Sequence, residues 1–122
     1  MSKLSWAAVL VVFALVAGTT AILAQDPAVV NAKNLKVTLD NPRVRVMEAT
    51  LKPGDKEQMH SHPTYVVYVV EGGKVRNHGA DGTTSEATFT PGQTIYRDPV
   101  THWSENIGTT TIRTLVIELK PQ

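Results

Sequence analysis

The sequence predicts one all-β domain, a sandwich or small barrel, and three observations carry that reading. From Leu35 onward, runs rich in β-branched and aromatic residues recur: Val44 and Val46, Tyr65 to Val70, Thr83-Thr84, Thr94 to Tyr96, and Thr109 to Leu119. Such residues suit a pleated, half-buried surface. Turn signals separate the runs at Asn41-Pro42, Pro53-Gly54, Glu71-Gly72-Gly73, Asp81-Gly82, Pro91-Gly92 and Asn106-Ile107-Gly108. Beyond Gln25, no stretch keeps apolar residues at helical spacing for three turns. Short strands punctuated this regularly are the pattern of a sandwich or barrel.

The first element is of another kind. Met1 to Trp6 carries a single positive charge, Lys3. Ala7 to Leu23 is apolar apart from Gly18-Thr19-Thr20, and Ala24 precedes the first acid, Asp26. A charged start, an apolar middle and a small exit residue predict a signal peptide over residues 1–24 and an exported protein, periplasmic or secreted. The alternative is an uncleaved anchor, because the apolar stretch is nearly long enough to span a bilayer. No cysteine follows it, which excludes a lipidated N-terminal cysteine.

Residues 25–42 are expected to form an N-terminal arm, with Val29 to Leu35 the only candidate for a short helical turn. The domain proper is expected over residues 43–120. In its first strand Arg45 shares parity with Met47, Ala49 and Leu51. An inward arginine would require a partner, so an outward face is the simpler expectation. Asp81-Gly82 is a hairpin turn. The last strand alternates, with Leu115, Ile117 and Leu119 on one face and Thr114, Val116 and Glu118 on the other.

Charge and composition narrow the function. The whole chain has 12 basic and 11 acidic residues. Loss of residues 1–24 removes only Lys3 and no acid, so the remaining 98 residues are formally neutral. A nucleic-acid partner would normally require a basic excess, and there is none. A membrane partner is expected only if the N-terminal segment stays uncleaved. The absence of cysteine removes disulfides, thiol nucleophiles and thiolate ligands together. A metal would depend on histidine, carboxylates and water.

The chemistry points to His60-Ser61-His62, at the mouth of the Tyr65 to Val70 run. Residues two apart in a strand project from one face, about 7 Å apart along the backbone. Two such imidazoles can converge on an ion with bonds of about 2 Å. Gln58 shares their parity if the strand extends back that far, whereas Glu57 does not.

Gly54, five residues, His60-Ser61-His62 and a strand closing on a glycine together resemble the first sequence motif of the cupin superfamily. Gly92, leading through Tyr96 and Pro99 to His102 with Asn106 four residues later, resembles the second. The similarity spans about Arg43 to Lys120 and is closest to the small single-domain cupins. It implies a jelly-roll β-barrel with a divalent ion (Fe, Mn, Zn, Ni or Cu) at its mouth, held by His60, His62 and His102. Cupins usually add a glutamate three or four residues beyond the second histidine. This chain has Pro63 to Val67 there and no acid. Gln58 and Tyr65 are the candidates for a fourth ligand or a place in the pocket.

The resemblance further implies a small-molecule partner and a homodimer. Two functions follow from it. One is a metal-dependent dioxygenase or isomerase acting on a small oxygenated metabolite, and the other is a non-catalytic ligand-binding or assembly module. Of the remaining polar residues, His78 is expected in an exposed turn and Asn106 is expected to tie one. Tyr65, Tyr68, Tyr96 and Trp103 are expected to pack in the core or at the rim.

Overall fold

The computed structural model describes residues 25–122, so the expected signal segment lies outside the described residues. Asp26 caps a short helix. Its carboxylate accepts from the Ala28 N–H (2.9 Å), and Pro27 occupies the first turn, where no N–H is required. This helix, α1 (Pro27–Val30), ends at Asn31, earlier than the turn expected over Val29 to Leu35. Among the described residues no helix is long and apolar enough to cross a membrane.

Nine strands follow among the described residues. They are β1 (Leu35–Asp40), β2 (Val44–Leu51), β3 (His60–His62), β4 (Tyr65–Glu71), β5 (Gly73–Gly79), β6 (Thr84–Phe89), β7 (Thr94–Arg97), β8 (Val100–Asn106) and β9 (Ile112–Leu119). They form two antiparallel sheets, ordered β1-β2-β9-β4-β7 and β3-β8-β5-β6. This is the layout of a jelly roll. Residues 25–42 do not stand apart from it: β1 pairs along β2, and the Thr50 N–H donates to the Asn34 carbonyl (2.9 Å).

Cross-strand register explains where the site lies. Directly paired residues project to the same face, so each register row of the five-stranded sheet is a layer of the interior. The deepest rows are Leu51–Ile112 and Ala49–Thr114–Val69. Above them runs Met47–Val116–Val67–Ile95, the centre of the larger apolar cluster. The last row is polar, Arg45–Glu118–Tyr65–Arg97. The barrel is therefore apolar at its base and charged at its mouth. Arg45 faces inward, contrary to the simpler expectation, and Glu118 is only 3% exposed.

Asn106 ties the turn that links β8 to β9, as expected. It is 2% exposed. Its Nδ2 donates to the carbonyls of Leu51 (2.9 Å) and Thr110 (2.8 Å), and its Oδ1 accepts from Gly108 N–H (3.0 Å). Asn106→Ala should cost about 1–3 kcal/mol in urea unfolding, because it strands the buried Leu51 carbonyl and removes two further bonds that hold the turn. A loss under about 0.5 kcal/mol, the scale of ordinary surface substitutions, would show that the turn holds itself.

Candidate metal centre

β3 contributes only three residues, but its pairing places them well. His60 lies opposite His102 of β8, and His62 lies opposite Val100. His60, His62 and His102 present ring nitrogens that all lie within 4.8 Å of one another. Ring centroids are 4.8 Å apart for His60–His62 and for His60–His102, and 5.5 Å apart for His62–His102. Bonds of 2.0–2.1 Å to one ion would set tetrahedral nitrogens about 3.3 Å apart, so small ring rotations suffice to close the group.

Each of the β3 rings is locked through its Nδ1. His60 Nδ1 donates to the Gln58 carbonyl (2.7 Å), which leaves the Nε2 lone pair for a ligand. That carbonyl is itself fixed, because Asn31 clamps the Gln58 peptide: Asn31 Oδ1 accepts from Gln58 N–H (2.7 Å) and Nδ2 donates to Gln58 O (3.2 Å). His62 Nδ1 donates to Glu118 Oε2 (2.7 Å). Glu118 Oε1 accepts from Arg45 Nε (2.8 Å), and Arg45 also pairs with Asp26 (3.0 Å). The N-terminal arm thus supports both histidines, one through Asn31 and the other through Asp26 and Arg45. Its backbone also reaches β3, since Gln25 O accepts from Ser61 N–H (2.8 Å).

Electrostatics keep the rings ready to ligate. Burial lowers the His60 pKa to about 4, with the neighbouring His62 adding to the effect. Burial lowers His102 to about 3, helped by His60, His62 and Arg97. Neutral imidazole is the form that binds metal, so near neutral pH no proton has to leave either ring. The donor set fits a divalent first-row ion.

The site opens into a cavity of ≈ 500 Å³ between the sheets, within the range of small-molecule pockets. Its wall includes Glu57, Tyr65, Asn77, Ser85, Arg97 and Ser104.

No family model and no curated protein matches the chain in sequence. Solved structures match it clearly. A cupin domain from Bordetella pertussis is 29% identical, with 71% of this chain and 92% of that one covered and a TM-score of 0.66. The chain has the fold of a small cupin-superfamily domain. Two further neighbours bear on the fold alone. A cupin family protein with a double-stranded β-helix from Methanocaldococcus jannaschii is 16% identical over 70% of this chain and 78% of its own, with a TM-score of 0.58. A cupin superfamily protein from Desulfitobacterium hafniense is 12% identical over 71% and 76%, with a TM-score of 0.55.

The place where a cupin usually carries its glutamate ligand falls at Tyr65 and Val66. Tyr65 is the inward of the two. Its ring lies over that of His62, with centroids 4.4 Å apart and planes 28° from parallel. Burial raises its hydroxyl to about 12, with Arg97 pulling the other way, so it is a neutral hydrogen-bonding group. Gln58, the other candidate, is exposed and does not line the cavity. Gln58 would share the histidines' face only in a strand reaching back to residue 58, whereas β3 begins at His60 and its approach is irregular.

Glu57 lines the cavity instead. Its Oε1 accepts from Ser104 N–H (3.0 Å), and burial raises its pKa to about 7 against that bond. Its carboxylate lies outside the close group formed by the three histidines.

His78 needs correcting too. It lies in β5 rather than a turn and faces outward, its ring stacked on Trp103 at 3.7 Å and its Nε2 bonded to Glu105 (2.8 Å). The alternation of β5 and β8 carries it to the sheet face opposite His102.

Proposed function

We propose that this cupin is an exported protein that binds a divalent metal through His60, His62 and His102 and acts on a small oxygenated molecule in the adjoining cavity. The observation that carries the metal reading is the convergence of three buried or half-buried imidazoles, two of them with Nδ1 bonded away from the cavity. A divalent ion held by three neutral imidazoles keeps its full charge and polarises an oxygen bound to it.

Catalysis as a dioxygenase or isomerase, rather than passive binding, is favoured by Glu57. One oxygen is anchored to the Ser104 backbone, and burial brings the carboxyl to about 7, where it can both take and give a proton. Tyr65 stays protonated beside it as a donor.

Metal analysis of protein purified from its own compartment tests the first part. The parent should carry about one divalent ion per chain, and the His60→Ala/His62→Ala double variant none. Export predicts a mature N-terminus at or near Gln25. An N-terminus retained at Met1 in the membrane fraction would replace the signal by an anchor.

We also propose a homodimer through the outer face of the five-stranded sheet. There the register row Leu39–Val46–Ile117–Val66–Tyr96 is apolar throughout, with Tyr96 66% exposed. Exposed apolar patches of this kind mark association surfaces.

A further inference from the structure

The polar row at the barrel mouth has an arginine at each end, and the two are not equivalent. Arg45 is saturated by the carboxylates of Glu118 (2.7 Å) and Asp26 (3.0 Å). Arg97 sits at the other end, register-paired with Tyr65, so it projects to the same inward face. It lines the cavity and, among the described residues, has no carboxylate within 4.0 Å. Asp98 also lines the mouth, yet no ion pair joins it to Arg97.

An unpaired guanidinium at the rim of a 500 Å³ pocket is a ready two-pronged partner for a carboxylate. The floor below it is formed by His60, His62 and His102, and the Glu118 carboxylate behind them is already engaged by His62 Nδ1 and Arg45. The surrounding walls offer hydroxyls, from Tyr65, Ser85 and Thr114.

We propose that Arg97 anchors the carboxylate of a small organic acid, which lies in the cavity with its remaining oxygens toward His60, His62 and His102. This deepens the metal-site reading by naming the substrate class, and it rests on that reading only for what the far end of the acid meets. The carboxylate end depends on Arg97 alone.

The probes are lactate and benzoate, with lactamide and benzamide as neutral counterparts of the same shape, titrated calorimetrically into zinc-loaded and metal-free protein. Zinc content is measured separately on every sample. The acids should bind at least tenfold more tightly than the amides. Arg97→Gln should remove that preference, Arg97→Lys should retain part of it, and all should carry parental zinc. Lys74→Gln, an equal change of charge outside the cavity, should keep the parental preference.

Acids and amides binding alike, no binding of either acid, or an unchanged preference in Arg97→Gln would each overturn the proposal. If the parent holds no zinc, the metal reading fails by itself, and the acid preference of the metal-free protein still decides the role of Arg97.

Discussion

Glu118→Gln should weaken metal binding by about 10–100-fold, the usual consequence of removing a group that orients a ligating histidine. Glu118 uses both oxygens, accepting from His62 Nδ1 through Oε2 and from Arg45 through Oε1. A glutamine has a single acceptor. Turned to His62, it sets its amide hydrogens against the guanidinium; turned to Arg45, it sets them against the imidazole N–H. Glu118→Ala goes further, leaving a largely buried arginine with Asp26 alone. Breaking a buried pair in this way costs about 3–5 kcal/mol. Zinc titration of the glutamine variant and urea unfolding of the alanine variant measure the two effects. Parental values in both would mean that His62 is held by its packing on Tyr65 and not by the carboxylate.

The metal-free protein should be most stable near pH 6.5, with the interior groups pulling in opposite directions on either side. His60 and His102 fold with pKa values near 4 and 3 against an ordinary 6.5. As pH falls below 6.5, the unfolded chain takes up protons that the folded one refuses, so stability drops. Glu57 acts the other way. Its folded value near 7 lies above the ordinary 4.5, so stability is lost as pH rises from 4.5 through 7. Between 4.5 and 6.5 two histidines oppose one glutamate. The net slope is a loss of about 1.4 kcal/mol per unit of acidification, one proton's worth. Below 4.5 the glutamate drops out and the loss steepens. Glu57→Gln should steepen the decline between 6.5 and 4.5 and abolish the small loss between 6.5 and 7. A flat profile from pH 4.5 to 6.5 would contradict the burial argument for the histidines.

The fold was largely legible because turn chemistry and strand composition agree. Pro53-Gly54, Asp81-Gly82 and Pro91-Gly92 each mark a turn whose glycine takes φ of +85° or +86°, a conformation that side-chain-bearing residues rarely adopt. β5 and β8 were concealed by their composition, and β1 fell within the expected arm. In β8 the interior positions after Val100 are His102, Ser104 and Asn106, so the apolar alternation that identifies a half-buried strand is absent. β9 hid its inward face in a similar way. The exposed side carries Leu115, Ile117 and Leu119, while the interior side ends in Thr114, Val116 and Glu118.

Of the site, His60 and His62 were readable from their spacing, and His102 from the second cupin motif. Their supports were not readable. Asn31, Asp26 and Glu118 lie 29, 36 and 56 residues from the histidines they serve directly or through Arg45. Only the sheet register brings them together. Glu57 and Gln58 were exchanged because strand parity was carried into a segment that is not a strand. The supporting role of the N-terminal arm gave no signal, since it acts through single polar side chains, Asn31 on the Gln58 peptide and Asp26 on Arg45.

His60, His62 and His102 are expected to form one metal site in which His78 takes no part. Zinc titration of His60→Ala, His62→Ala, His102→Ala and His78→Ala, each confirmed folded by circular dichroism, tests it most directly. Each of the first three should lose at least a hundredfold in affinity, and His78→Ala should keep parental affinity. Parental affinity in any of the first three, or an equal loss in all four, would contradict it.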